Sequence, residues 1–77
     1  LFYRAISAWE AAGIVIVFSA GNAGPGDRTI TTPHEHPSVI AVAATGPDGK
    51  VATFSSRGPA LFRGQTIQKP DISAPGV

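Results

Sequence analysis

The fold of this chain is decided by the stretch Gly13-Ile-Val-Ile-Val-Phe-Ser-Ala-Gly-Asn-Ala-Gly-Pro-Gly26. Its apolar part, residues 14–18, is short, rich in β-branched side chains and free of polar alternation. That pattern predicts a strand buried on both faces of a parallel sheet. The glycines that follow favour turns, and Pro25 lacks an amide donor, so the strand cannot continue. We therefore expect the strand to carry Asn22 to the carboxyl edge of a sheet, where open α/β proteins bind ligands.

The residues before this stretch have the pattern of an amphipathic helix. Over residues 1–12 the apolar side chains recur at helical spacing, and they are Phe2, Ala5, Ile6, Trp9 and Ala12. Gly13 follows at the position of a C-terminal glycine cap. A helix that leads into a buried strand is half of a parallel crossover unit, and no strand precedes it in the sequence. Together with the absence of Met at position 1, this predicts a segment of a longer protein.

The rest of the chain predicts two more strands and several irregular segments. Residues 27–37 form a proline-bracketed polar loop, and residues 38–45 form a second apolar strand. Gly-Pro-Asp-Gly at residues 46–49 is a turn, after which residues 51–55 alternate well enough to complete a hairpin with the second strand. Residues 57–69 are expected to be irregular and residues 69–77 extended. The predicted fold class is α/β, a parallel sheet with one helix and about three strands that is incomplete as a domain.

Composition excludes several classes of function. The 77 residues carry a formal net charge of +1, and the charged residues, 14% of the chain, are scattered, so we expect no nucleic-acid partner. No apolar run is long enough to cross a membrane, and none has the form of a signal peptide. The chain has no cysteine and therefore neither a disulfide framework nor a thiolate metal site.

Four motifs occur together in a characteristic order. They are Ser-Ala-Gly-Asn-Ala-Gly at residues 19–24, Pro-Ser-Val-Ile-Ala-Val at residues 37–42, Phe-Ser-Ser-Arg-Gly-Pro at residues 54–59, and Lys-Pro-Asp-Ile-Ser-Ala-Pro-Gly-Val at residues 69–77. In this order and at these separations they resemble the subtilisin-like serine peptidases, the subtilases. The resemblance covers nearly the whole chain from about Gly13 onward.

The resemblance implies a role for residues 19–22. Asn22 matches the family asparagine whose side-chain amide donates to the oxyanion of the tetrahedral intermediate, and a rigid strand end suits that role. From the residues alone, Asn22 has a second interpretation as a left-handed turn residue. Ser19, Ala20 and Gly21 match residues that line the pocket for the substrate side chain before the cleaved bond. Packing at a strand end is compatible with that role.

The resemblance also implies that the catalytic triad lies outside this chain. In subtilisins the triad order is Asp, His, Ser, and residues 1–77 match the part of the catalytic domain between the His and the Ser. His34, His36, Ser55 and Ser56 are in the wrong order and context for an internal triad. We therefore expect the parent to be a serine endopeptidase that cleaves polypeptide substrates through an acyl-enzyme, and this chain alone to be inactive.

The sequence predicts neither a histidine metal site nor a required cofactor. His-Glu-His at residues 34–36 lacks the spacing of a zincin helix, so no imidazole metal site is expected. The resemblance implies that no cofactor is required, although the family often binds Ca²⁺ structurally. Some members hold a weak cation through backbone carbonyls and one carboxylate, and the matching positions are His34, His36, Val39 and Asp71. Pro33 matches a family proline preceded by a cis peptide bond.

Two alternatives to a peptidase segment differ in class. A non-catalytic interaction protein, either an inactive homologue or a self-associating fragment, is disfavoured by Asn22, since an inactive parent no longer needs the donor. A nucleotide-binding crossover unit is excluded because no helical pattern follows the glycines of residues 21–26. We further expect the isolated chain to self-associate through exposed strand edges. Family resemblance also predicts a secreted or extracellular parent with no membrane partner.

Overall fold

The computed structural model describes residues 2–77, which form one helix and five short strands. The elements are α1 (Phe2–Ala11), β1 (Ile16–Ser19), β2 (Val39–Thr45), β3 (Ala60–Phe62), β4 (Gln65–Ile67) and β5 (Ile72–Pro75). Three strands form a parallel sheet in the order β1-β2-β5, and β3 and β4 form a separate antiparallel hairpin. The α/β fold class and the parallel sheet predicted from the sequence are confirmed.

Helix α1 ends as its sequence predicts. The amide of Gly13 donates to the Glu10 carbonyl oxygen at 3.0 Å, and the amide of Ile14 donates to the Trp9 carbonyl oxygen at 2.9 Å. This pair of hydrogen bonds is the Schellman motif, which satisfies the last carbonyls of a helix. The chain then enters β1 within a few residues, so the cap sets the direction in which the strand starts.

The helix packs on the sheet through a narrower face than its periodicity predicts. Ile6 is buried against Ile16 and Val39, with Tyr3 packed beside them. Phe2 and Trp9, which the pattern assigned to the same buried face, are 55% and 41% exposed. A ten-residue helix that meets a small sheet covers it with about one residue per turn, which leaves the flanks of its apolar face uncovered.

The prediction that β1 is buried on both faces is wrong for the described residues. Ile16 is 6% exposed, but Val17, the next residue, is 56% exposed. Side chains alternate along a strand, so one face of the sheet meets α1 and the β3–β4 hairpin while the other face meets neither. That second face, which we call the open face, carries Val17, Ile40 and Ile72 in adjacent strands.

The predicted hairpin between residues 38–45 and 51–55 is also wrong. Val51 forms only a single antiparallel bridge with Thr45, and the chain then turns instead of continuing as a strand. Strand β2 already pairs with β1 along residues 39–42 on one edge and with β5 along residues 42–45 on the other. A third partner therefore has room only at the end of β2.

Two pairings were not predicted. Residues 57–69, expected to be irregular, contain the β3–β4 hairpin, whose turn places Arg63 and Gly64 at φ angles of 48° and 80°. A residue pair with two positive φ angles is the favoured hairpin turn, but Arg is not one of its usual residues. Residues 69–77, expected only to be extended, contribute β5, and Pro75 is tolerated there because β5 is an edge strand of the sheet formed by residues 2–77.

Candidate functional site

A groove opens on the open face at the carboxyl ends of the parallel strands. Its volume is about 360 Å³. Strands β1, β2 and β5 and two loops contribute its lining, which includes Val17, Ser19, Asn22, Val42, Phe54 and Ala74. The lining is mostly apolar, and the exposed Asn22 is part of it, at the edge of the sheet where the sequence predicts a ligand site.

The backbone on both sides of Asn22 is held by one serine. The Ser56 amide donates to the Gly21 carbonyl oxygen at 2.9 Å, and the Ala23 amide donates to Ser56 Oγ, also at 2.9 Å. One residue further on, the Gly24 amide donates to the Phe54 carbonyl oxygen at 3.0 Å. Segment 54–56 thus fixes the loop of residues 20–24, which we call the Asn22 loop. The Asn22 side chain forms no hydrogen bond within residues 2–77, so its amide is available to a ligand.

The small residues of the Asn22 loop are required by this close packing. Gly21 has a φ of +106°, and a Cβ added there would lie 2.9 Å from Ser56 Oγ. A Cβ on Gly24 would lie 1.9 Å from the Ser55 carbonyl oxygen, which no side chain can accommodate without moving the backbone. The glycines that flank Asn22 therefore allow segment 54–56 to approach, in addition to ending the strand.

Ser55 and Ser56 are equally buried, but their hydroxyls bind different segments of the chain. Each is 1% exposed, and each hydroxyl accepts one backbone amide. Ser56 accepts Ala23 in the Asn22 loop, whereas Ser55 accepts Ala44 in β2 at 3.0 Å. Sequence reasoning rejected both serines as triad members, interpreted them as ordinary strand-end serines and missed the positioning role of Ser56. No local signal reveals that role, since Ser56 and Ala23 lie 33 residues apart.

The three predicted pocket residues have different surroundings. Ser19 is exposed and lines the groove. Ala20 is only 1% exposed, because its methyl group belongs to a core cluster with Ile30 and Ala43. Gly21 is half-buried against Ser56. Only Ser19 presents a side chain to the groove, and any contact of the other two with a ligand would come from their backbone.

His34 and His36 both use Nδ1 to bind the backbone. His34 Nδ1 lies 2.6 Å from the Ser19 carbonyl oxygen and therefore donates to it, while its ring meets Phe18 edge-on. His36 Nδ1 accepts the Ser38 amide at 3.0 Å. His34 thus fixes the backbone of Ser19, which lines the groove. Among residues 2–77, neither histidine ring forms a hydrogen bond with a serine hydroxyl.

A buried carboxylate ties the loop after Asn22 to the helix. Glu35 is 3% exposed, and its two oxygens accept the hydroxyls of Tyr3 and Thr32, each at 2.8 Å. Burial raises the pKa of Tyr3, and the hydrogen bond to Glu35 raises it further. The Thr32–Pro33 peptide bond in this loop is cis, as the resemblance implies. The network fixes residues 32–36 and so supports the contact of His34 with Ser19.

A lysine side chain lies between two of the residues that were matched to a weak cation site, Val39 and Asp71. Lys69 Nζ lies 2.5 Å from the Val39 carbonyl oxygen and 2.6 Å from Asp71 Oδ2. Burial acts to raise the pKa of Asp71, but hydrogen bonds from Lys69 and from the Ala41 amide, with the charge of Lys69, lower it overall. Within residues 2–77 no three His, Cys, Asp or Glu side chains are grouped as a metal site.

The one described helix is too short to span a membrane.

Comparison with known proteins agrees with the motifs. The family profile described as the Subtilase family matches residues 2–77. The chain is 43% identical to serine protease AprX of Bacillus subtilis strain 168, over 96% of the chain and 18% of AprX. It is 40% identical to subtilisin E of the same strain, over 84% of the chain and 15% of that protein. The chain thus spans less than a fifth of the length of these two relatives.

Two solved structures have the same arrangement as this chain. Sphericase superposes with a TM-score of 0.74 at 38% identity, over 95% of this chain and 26% of that one. The S41 psychrophilic protease gives a TM-score of 0.74 at 33% identity with the same coverage. The sheet, the Asn22 loop and the four motifs therefore have one common explanation: this chain belongs to the subtilase family.

Proposed function

We propose that the protein carrying this chain is a subtilisin-like serine endopeptidase that hydrolyses peptide bonds through an acyl-enzyme, and that Asn22 stabilises its oxyanion. The observation that carries the proposal is the exposed Asn22 in the lining of the groove, on a loop whose backbone Ser56 binds on both sides of Asn22. Membership of the family supports the reaction class.

The held loop matters because an oxyanion donor must be in place before charge develops. Negative charge accumulates on the carbonyl oxygen only as the nucleophile adds, and a donor that has to reorganise then stabilises the transition state less. Neutral amide donors at a fixed strand end meet that need. In a subtilisin, a member of the same family, removal of the asparagine donor lowers turnover about a hundred- to a thousand-fold.

The groove supports a peptide substrate whose side chain enters beside Ser19. Its apolar walls favour an apolar side chain, and the Ser19 side chain with the Ala20 and Gly21 backbone would flank it. We propose that the Asp, His and Ser of the triad come from outside residues 1–77, so this chain alone is inactive. The backbone contacts of His34, His36, Ser55 and Ser56 support that proposal.

The remaining expectations about the parent are also proposals. The chemistry requires no cofactor, the substrate is a polypeptide, and neither nucleic acid nor a membrane is a partner. Because the relatives include subtilisins, which are often secreted proteases, we propose a secreted or extracellular parent. We propose that any structural Ca²⁺ of the parent does not bind between Val39 and Asp71, because Lys69 Nζ already contacts the oxygens of both residues.

A second candidate function is a self-associating, non-catalytic protein, favoured by the open face. Val17 and Ile72 are 56% and 57% exposed, and β1 and β5 are the edge strands of the sheet in residues 2–77. Unpaired strand edges beside exposed apolar side chains promote pairing with other chains. The two functions differ in one respect that can be tested, since only the peptidase needs the Asn22 amide.

The experiment is the substitution Asn22→Ala in the intact protein, with kcat and KM measured on a peptide substrate. We expect kcat to fall about a hundred- to a thousand-fold with little change in KM, because the amide contacts the transition state more closely than the substrate. Gln65→Ala, which removes an exposed amide on β4, is the control and should leave kcat unchanged. Equal turnover in Asn22→Ala and wild type would refute the oxyanion role.

A further inference from the structure

The Lys69 side chain ends in an unusual place for an ammonium group. It is 3% exposed, and Nζ lies between the Val39 carbonyl oxygen at 2.5 Å and Asp71 Oδ2 at 2.6 Å. Lysine is rarely buried without a partner, because removing an ammonium from water is costly. Here two oxygen atoms replace the water.

The oxygens around the ammonium belong to the joint between two neighbouring strands. Val39 begins β2, and Asp71 directly precedes β5. Asp71 Oδ2 also accepts the Ala41 amide at 2.8 Å, and the Asp71 amide donates to the Ala41 carbonyl oxygen at 2.9 Å. The charge of Lys69 thus lies where β5 first meets β2, and it neutralises a carboxylate that also takes part in the joint.

The backbone of Lys69 is packed closely enough to define where its side chain starts. A Cβ added to Gly58 would lie 1.9 Å from the Lys69 carbonyl oxygen. The two chain segments are therefore in close contact, and the lysine stem runs from this contact into the interior. An exposed ion pair has no such confinement and adds little to stability.

With Lys69 in place, the residues around its ammonium group leave no room for a metal ion. The four positions matched to a weak cation are His34, His36, Val39 and Asp71, and two of their oxygens already bind Lys69 Nζ. A Ca²⁺ ion lies about 2.3–2.6 Å from its ligand oxygens, so it would need nearly the same place as the ammonium. The charge of Lys69 would also repel it.

We infer that Lys69 is a tethered cation that takes the place of a bound metal ion at the joint between β2 and β5. The charges of Lys69 and Asp71 then cancel, and the contact between the two strands needs no Ca²⁺, Na⁺ or K⁺. The inference concerns stability and ion binding, so its test is independent of the proposed peptidase activity.

The test replaces Lys69 with Ala in the intact protein, which removes the ammonium and leaves room for a small cation. We expect the Tm to fall by roughly 10 °C, because Asp71 and the Val39 carbonyl lose their partner. At equal ionic strength, CaCl₂, KCl or ethylammonium chloride should recover at least half of that loss. Tetramethylammonium chloride, whose cation is too large and lacks N–H donors, should not.

Two comparisons isolate this site from any other ion site in the intact protein. Lys50→Ala removes an exposed lysine and should respond to each salt as the wild type does. Equilibrium dialysis with Ca²⁺ should count one more bound ion per molecule in Lys69→Ala than in the wild type. Equal counts, with equal salt responses in Lys69→Ala and wild type, would overturn the inference.

A second measurement covers the case in which Lys69→Ala does not fold. Asp71→Asn in the wild-type background removes the carboxylate that a metal would need. We expect it to leave the number of bound Ca²⁺ ions unchanged, because the wild type holds none there. The loss of one bound ion on this substitution would show that a metal occupies the joint and that the inference is wrong.

Discussion

Ser56→Ala is the substitution that best separates the positioning of Asn22 from general stability. It removes the hydroxyl that accepts the Ala23 amide, while the bond from the Ser56 amide to the Gly21 carbonyl oxygen is a backbone contact and remains. One of the two anchors beside Asn22 is therefore lost. Ser55→Ala is the matched control, because Ser55 is equally buried and also accepts one amide, but in β2.

The size of the effect follows from the bond that is lost. A neutral hydrogen bond contributes about 0.5–1.5 kcal/mol, so both variants should lose about 1 kcal/mol of unfolding free energy. Without that bond, the free energy that favours the active conformation of the Asn22 loop falls by at most the same amount. A change of about 1.4 kcal/mol corresponds to about tenfold in rate. We expect kcat to fall up to about tenfold in Ser56→Ala and to stay unchanged in Ser55→Ala.

The assay is a double-mutant cycle on the intact protein. Steady-state kcat is measured for Ser56→Ala, for Asn22→Ala and for the double variant, and unfolding free energies come from denaturant titration. If Ser56 acts through Asn22, its substitution should have no further effect on kcat once the Asn22 amide is gone. Urea titration then confirms that the two serine variants are matched in stability.

Either of two results would refute this reasoning. One is that Ser55→Ala and Ser56→Ala lower kcat equally, which would make the effect one of stability. The other is that Ser56→Ala lowers kcat as much in the Asn22→Ala background as in the wild type. In that case Ser56 would influence catalysis by a route that does not pass through Asn22.

Three further predictions concern stability and assembly. The pKa of Asp71 is below its ordinary value of 3.8, so Asp71 contributes stability that is present above that value and is lost as pH falls through the lower folded pKa. Denaturant titrations from about pH 5 to pH 2 should therefore show a shallower loss for Lys69→Met than for wild type. Tyr3→Phe should lower the unfolding free energy by about 1–3 kcal/mol, since it leaves one buried Glu35 oxygen without its partner, and urea titration measures this. The isolated 77-residue chain should elute above its monomer mass of 7.9 kDa in size-exclusion chromatography, whereas a folded monomer at high concentration would contradict pairing through the open edges.

The position of Asn22 was predictable because the signals around it are local. A run of β-branched residues specifies a strand, and Gly21 and Gly24 end it at a defined place, so the exposed amide at the end of the sheet follows from adjacent residues. What holds that amide was not predictable. Ser56 reaches the Asn22 loop across 33 residues of sequence, and nothing in its neighbours distinguishes it from Ser55.

The lysine at the positions matched to a cation was not predictable for a related reason. The match implies a weak metal cation near Val39 and Asp71, whereas the oxygens of both residues contact the Lys69 ammonium. A lysine beside Pro70 has the sequence pattern of an ordinary surface residue. Only its direction in three dimensions, toward β2, decides that it is buried.

By itself the sequence determined the helix with its Gly13 cap, the strands β1 and β2, the turn at residues 46–49 and the family. Each of these depends on propensities and periodicities within about ten residues, which act before the chain is packed. Tertiary structure alone decided that β5 and not residues 51–55 pairs along β2, that only one face of the sheet is covered, and that Ser56 and Lys69 are buried. These outcomes depend on contacts across 30 or more residues, which a local pattern does not encode.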